Sequence, residues 1–194
     1  MPQLLRDYFN AVAPEWDRTP KWDTELVRDY LTLFGIRPGD RVLDLGVGTG
    51  RSSTLIAEMT GPDGLTTATD FAEAMLSEAQ TNGFIPVVAD AHSLPFDEES
   101  FDKVLCFSAF PHFNDQQTAL AEMKRVLKPG GRALILHLVS SQKMNAFHAG
   151  LQGPVRHDRL PDVETLGRMF EKAELYSVTL MEADDLYWAE ALKA

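Results

Sequence analysis

The chain is short of several things, and each shortage removes a class of protein. Cys106 is the only cysteine in 194 residues, so no intramolecular disulfide can form and a reducing, cytoplasmic compartment is the expectation. It lies in the apolar run VLCFSAF, the setting of a small buried hydrophobe rather than a nucleophile. No stretch reaches the roughly 18 apolar residues of a membrane span. The opening MPQLLRDYFNAVAPEWD also lacks the basic head and unbroken apolar core of a signal peptide. Basic residues are outnumbered: 18 Lys and Arg against 29 Asp and Glu give a formal net charge of -11. Binding a phosphate backbone requires cations over a whole face, so nucleic acid is not an expected partner. Repeats, low-complexity tracts and linkers are absent too, and 194 residues suit one domain with a single core.

What is present is an alternation of short β-rich runs with stretches of helical period. RVLDL, LTTAT, IPVVAD, FDKVLCF and RALILHLV read as parallel strands of an open α/β sheet, the last three apolar enough to be covered on both faces. QTALAEMKRVL sets Ala119, Leu120, Met123, Val126 and Leu127 on one helical stripe, stopped by Pro129, Gly130 and Gly131. Asp162 caps a further helix with Val163, Leu166, Met169, Phe170 and Ala173 inward, and LYSVTLME and DLYWAEAL form a closing hairpin at a sheet edge. Leu4, Leu5, Tyr8, Phe9 and Val12 predict an amphipathic helix, and Leu26, Val27, Tyr30, Leu31 and Phe34 a second. This divides the domain into a helical cap (1–35), a core (36–139), a long connection acting as a lid (140–161) and a helix with a strand hairpin (162–194).

In an open parallel sheet, ligands lodge beyond the carboxyl ends of the strands, where the strand order reverses. That rule nominates Gly46, Gly48, Thr49 and Gly50 after the first strand, Asp70 after the second, Asp90 after the third, and Phe107 to His112 after the fourth. The loop GVGTG differs from the dinucleotide pattern G-x-G-x-x-G, because its third glycine comes one place early and Arg51 follows. Asp44 adds a charge argument. Against a pyrophosphate at ~6 Å, with an effective dielectric of ~20, it would cost about 3 kcal/mol before screening. Against an ammonium the same interaction favours binding. Asp70 lies about twenty residues further on, where an acid typically reaches ribose hydroxyls. A nucleoside carrying an amino-acid tail satisfies both acids, and S-adenosylmethionine has that chemistry.

VLDLGVGTG, ATDFAEAML, VVADAHSLPFDEESFDKVLC and EMKRVLKPGGRALI resemble successive motifs of class I S-adenosylmethionine-dependent methyltransferases, especially the small ubiquinone/menaquinone-type group. The resemblance runs in order from about Phe9 to Val139. It implies a doubly wound, seven-stranded, mostly parallel sheet whose last strand is antiparallel. It also implies that Asp44, Gly46, Gly48, Thr49 and Gly50 surround the methionine part of the cofactor and that Asp70 holds the ribose. Asp90 and the Ala91 backbone would meet the adenine, with Phe71 and Phe107 nearby. FNAVAPEWD resembles a family segment that closes over the cofactor, with Trp16 where tyrosine is usual.

Methyl transfer from a sulfonium is an in-line displacement, so positioning in a dry site supplies most of the catalysis and a base is needed only where the acceptor must lose a proton. His112 is the first candidate base, in a segment where the family often has histidine, and His137 the second; His92 reads as part of a solvated loop. In the connection 140–161, His148, Arg156, His157 and Arg159 form, with Lys143, a basic cluster that is a candidate substrate site. His137, His148 and His157 lack a recognisable ligand spacing, so no metal is expected. The leading expectation is methyl transfer to a small-molecule acceptor, with oligomeric state open. Two alternatives stand beside it: a nicotinamide-dependent oxidoreductase, and a non-catalytic cofactor-binding subunit that would expose an apolar patch near Trp16 or Trp22.

Overall fold

The structure, a computed structural model, describes residues 2–18, 22–79 and 82–194. Helix α1 (Pro2–Val12) runs into a 3₁₀ turn, Ala13–Glu15. Helix α2 (Thr24–Phe34) opens on Asp23, whose carboxylate accepts from the Glu25 and Leu26 amides, and closes on Gly35 at φ 82°. Strand and helix then alternate through β1 (Arg41–Leu45), α3 (Arg51–Thr60), β2 (Leu65–Asp70), α4 (Glu73–Glu78), β3 (Ile85–Val88), β4 (Phe101–Phe107), α5 (Gln116–Val126) and β5 (Leu127–His137). After these come α6 (Ser141–Gly150), α7 (Val163–Lys172), β6 (Tyr176–Ala183) and β7 (Leu186–Leu192). Side chains of Asp115, Ser140 and Asp162 accept amides at the starts of α5, α6 and α7.

The seven strands make one sheet in the order β3-β2-β1-β4-β5-β7-β6. All are parallel except β7, which runs antiparallel to both β5 and β6. On one face α2 and α3 bring Val27, Leu31, Phe34 and Ile56 against Val42, Leu134 and Trp188. On the other, α5 and α7 bring Leu120, Met123, Leu166 and Phe170 against Leu43, Ile135 and Tyr187. Each such side chain contributes about 1.5 to 3 kcal/mol by leaving water. Helix α1 does something else: Leu5, Phe9 and Ala13 pack on Ala72, Met75 and Val155, beside the carboxyl ends of the strands. Among the described residues no helix is long and apolar enough to cross a membrane.

Three sequence expectations need correction. Cover on both faces holds for β4 and β5 but fails for β3, where Ile85 and Val88 are about half exposed at 51% and 53% because only β2 lies beside this outer strand. Helix α5 stops at Val126, three residues before the proline; Leu127 already pairs with Phe101, and the residues up to Gly131 bulge out of the ladder. Leu4 is exposed rather than part of the buried stripe of α1, which meets its neighbours along Leu5 and Phe9 with Tyr8 and Val12 at its side.

Candidate active site

The chain runs outward from β1 to β2 and β3, then returns to β4 on the other side of β1, so the strand order reverses between β1 and β4. The loop after β1 is clamped to the end of β2. The Gly46 and Val47 amides donate to the Thr69 carbonyl at 2.7 and 3.0 Å. The Gly48 amide donates to Asp70 Oδ2 at 2.8 Å, and the Ala72 amide to Asp70 Oδ1 at 2.8 Å. The acid expected to hold a sugar therefore also fixes the loop beside it. Burial pushes Asp70 up, against the pull of those two amides.

Gly46 and Gly48 border the cleft in positive-φ conformations that favour glycine. Gly46 sits at φ 75°, and a Cβ there would lie 2.5 Å from the Ala109 Cβ. Gly48, at φ 56°, faces the Trp16 indole, whose nitrogen lies 3.4 Å from the same imagined position. Above the loop opens a cleft of about 300 Å³, walled by Gly46, Gly48, Thr49, Asp70, Phe71 and Phe107 and by Phe9, Trp16, His112 and Met144. An adjoining lobe is lined by Asp70, Phe71, Asp90, Ala91, His112 and Phe113.

Several expected site residues stand elsewhere. Asp44 does not line the cleft. It is 1% exposed beneath the loop, with Oδ2 accepting from the Ser52 and Ser53 hydroxyls at 2.7 Å each. Its Oδ1 is buried without a hydrogen-bond partner. It acts from below, as a fixed negative charge at the start of α3, rather than by touching a ligand. Gly50 is the residue before α3, where a Cβ would lie 2.7 Å from the Phe84 ring, so it serves close packing. His137 is wholly buried behind the cleft wall, its ring 5.7 Å from that of Tyr187 and both its nitrogens unpartnered. Burial lowers it to about 3, so it stays neutral and cannot exchange protons with a substrate.

The basic cluster does not converge either. His148 is buried and lowered by burial, whereas Arg156, His157 and Arg159 are exposed and absent from the cleft walls. Their segment is instead pinned shut: Asn145 both donates to the Leu160 carbonyl and accepts its amide, at 2.9 and 2.8 Å. His92 is half-buried, tied to Asp90 Oδ1 at 2.5 Å and to the Asp115 amide at 3.1 Å. Burial alone would raise Asp90, but the amide and ring of His92 outweigh it and hold it below the ordinary carboxylate range. Cys106 is fully buried and burial pushes its thiol up, as expected of an inert residue. Among the described residues no group of three or more metal-ligating side chains is assembled.

Around the cleft stand further features that local pattern does not announce. Ser108 is exposed in the cleft at φ 58°, a conformation that strains any residue but glycine and that no local pattern announces. Arg51 lies 4.4 Å over the Trp22 ring, and Trp22 meets Phe107 edge-on at 5.5 Å. Asp158, which does not itself line the cleft, holds His112 Nδ1 at 2.6 Å.

Asp44 supplies a test with a definite sign. Burial raises it from 3.8 to about 6, ahead of the opposing serine hydrogen bonds. The folded chain thus binds this proton more tightly than the unfolded chain. Its favourable contribution is complete below pH 3.8 and is lost as pH rises to about 6. Asp44→Asn should remove that decline and stabilise the protein at pH 7.5 by about 1 to 3 kcal/mol, while weakening any cationic ligand above the loop. Urea denaturation at pH 4.5 and 7.5 measures the first effect; a variant no more stable at pH 7.5 than at pH 4.5, relative to wild type, contradicts it.

The residues present fit an adenosyl amino acid: a buried acid under the loop with one oxygen unpartnered, a glycine cradle that a Cβ would fill, a helix start for a carboxylate, and Asp70 at the rim. This sheet order, with its single antiparallel strand and its glycine loop at the crest, is the class I methyltransferase architecture. Solved structures agree on the fold. A S-adenosylmethionine-dependent methyltransferase from Aquifex aeolicus superposes with a TM-score of 0.76 at 20% identity, covering 95% of this chain and 98% of that one. The phosphoethanolamine N-methyltransferase 2 of Haemonchus contortus, solved with S-adenosylmethionine, gives 0.71 at 19% identity over 89% and 52%. In sequence, residues 43–135 match the family described as a methyltransferase domain. The UbiE ubiquinone/menaquinone biosynthesis C-methyltransferase of Teredinibacter turnerae is 38% identical over 120 residues, 58% of this chain and 48% of that one. A demethylmenaquinone methyltransferase of Mycobacterium sp. (strain KMS) is 36% identical over 139 residues, 69% and 59%. The chain thus spans about half the length of these relatives. Residues 43–135 therefore match a methyltransferase domain on a class I methyltransferase fold, and the chain is similar in sequence to ubiquinone/menaquinone-type enzymes.

Proposed function

We propose that the chain transfers a methyl group from S-adenosylmethionine to a small-molecule acceptor, releasing S-adenosylhomocysteine. The observation that carries this reading is the clamp between the Gly48 amide and Asp70 Oδ2 at the rim of the cleft. It leaves lone pairs of a buried carboxylate facing the space where a ribose diol would lie, with α3 opening next to it for a carboxylate. When bound, the cofactor supplies an electrophilic methyl carbon for in-line displacement. The chain's own residues do the rest. Asp70 holds the sugar, and Asp90, Ala91 and Phe71 frame the base. Thr49 and Arg51 meet the tail, and the rings of Phe9, Trp16, Trp22 and Phe107 keep water out.

One relative is named a ubiquinone/menaquinone biosynthesis C-methyltransferase and another a demethylmenaquinone methyltransferase, which supports a quinone-like ring among the candidate acceptors. The aromatic walls of this cleft suit a planar ring acceptor, within a reducing aqueous compartment. The two other readings lose ground. A diphosphate would sit above Asp44 and beside Asp70, two buried acids. Trp16 and Trp22 are half-buried against Phe9 and Phe107 rather than exposed as a docking patch. Calorimetry with S-adenosylhomocysteine and NAD(H) tests the cofactor: micromolar binding of the first alone is expected, and the reverse preference overturns the proposal. A labelled-methyl screen over small-metabolite pools then names the acceptor.

A further inference from the structure

The connection 140–161 sets one acid against a wall residue of the cleft, and its position bears on which acceptors can react. His112 ends the 3₁₀ turn Phe110–His112 after β4, its amide fixed to the Ala109 carbonyl at 3.0 Å. Its ring lies 5.0 Å from Phe9, edge to face, and 5.1 Å from His148. Asp158 follows the 3₁₀ turn Pro154–His157 and reaches His112 Nδ1 with Oδ2 at 2.6 Å. Both side chains are mostly shielded, at 17% and 12% exposure. The Asp158 backbone is fixed on two further sides, its carbonyl accepting from the Arg159 guanidinium at 2.9 Å and lying 3.3 Å from His148 Nδ1. His148 is lowered by burial and by its neighbour His112, so it stays neutral and brings no second cation to the carboxylate.

We propose that Asp158 is a positioning residue: it holds His112 as the Nδ1–H tautomer, turning Nε2 into the cleft as a general base, and so selects acceptors that must give up a proton. A neutral imidazole that donates from one nitrogen presents a lone pair on the other. Because His112 borders both the main cleft and its lobe, that lone pair faces a bound molecule rather than bulk water. In the step, Nε2 takes the proton of an acceptor hydroxyl as the electron pair it leaves forms the new bond to the methyl carbon. The carbon–sulfur bond breaks with its pair kept by sulfur, and the imidazolium later gives its proton to water. Thioethers and tertiary amines, which attack with a free lone pair, gain nothing from such a base.

This inference rests on the cofactor reading above, and the tests keep the two apart. Nitrogen-15 NMR of the cofactor-free chain should show His112 as the Nδ1–H tautomer, with Asp158→Ala giving a mixture; an Nε2–H tautomer in the wild type overturns the proposal without any turnover measurement. Calorimetry should give S-adenosylhomocysteine the same affinity, within about twofold, for wild type and Asp158→Ala. A wild type that fails to bind it sinks the cofactor reading instead. Phenols of graded acidity then serve as acceptors. His112→Ala and Asp158→Ala should lower kcat by about 100-fold for weakly acidic phenols and by under about 10-fold for nitrophenols already ionised, with KM little changed. Asp158→Asn should recover part of the loss. A uniform penalty across the series, or methylation of thioethers and tertiary amines with no phenol accepted, overturns the assignment.

Discussion

Gly46→Ala is expected to lower stability by about 2 to 5 kcal/mol, the sum of a left-handed backbone cost and an overpacked contact. At φ 75° an added methyl is strained before any neighbour is counted. Its carbon would then fall 2.5 Å from the Ala109 Cβ and 3.7 Å from the Phe113 ring. Neither side can retreat easily. Gly46 is held by its amide on the Thr69 carbonyl at 2.7 Å, and Ala109 follows a strand locked into register with β1 at Val42, Leu43 and Asp44. Gly35→Ala is the control. It shares a positive φ of 82° in the left-handed region but has nothing within 4 Å of the new carbon, so it should cost only the backbone portion, about 1 to 2 kcal/mol. Urea denaturation of the two variants measures the difference; equal losses would mean that the close approach of the loop to the segment after β4 is not what requires glycine.

The same contrast explains what the sequence could reveal. Elements whose identity depends on local pattern are legible: the cap at Asp162, the stripe of Leu120 and Met123, and the strands that flank the glycine loop. That Gly46, Gly48 and Asp70 border the cleft is legible because a glycine after a strand and an acid about one βα unit later are set by covalent spacing. Residues whose position depends on folding over long sequence distances are not. Asp158 meets His112 across 46 positions, and nothing in RHDRLP signals that contact. His137 looked like a base because β5 ends at the crest, but the alternation of a strand decides which face a side chain takes, and here it turned the ring into the core. Asp44 was read correctly as an acid near the loop and wrongly as a ligand contact, since Ser52 and Ser53 reach it first. The basic cluster failed for the commonest reason: charges close in sequence were mistaken for charges converging in space.

Asp70→Ala is expected to weaken S-adenosylhomocysteine binding by about 1 to 3 kcal/mol through lost charge-assisted hydrogen bonds to the sugar. Folding should suffer as well, because the carboxylate does two jobs. Without it the Ala72 amide, on a residue with no exposure, loses its acceptor, at about 1 to 3 kcal/mol for an unsatisfied buried donor. The Gly48 amide borders the cleft and can turn to water, so its loss loosens the loop more than it destabilises the fold. Asp70→Asn separates the two roles. Its single carbonyl oxygen can serve one amide but not both, and its NH₂ would face the other donor, so stability should fall between wild type and the alanine variant. Ligand choice then isolates the sugar contact. An adenosyl ligand lacking the ribose hydroxyls should bind wild type and Asp70→Ala with nearly equal affinity, whereas the intact ligand should distinguish them by about 5- to 150-fold, the same 1 to 3 kcal/mol expressed as a ratio. If both ligands lose equally on mutation, Asp70 acts only through the shape of the loop. If neither loses, it has no part in the site.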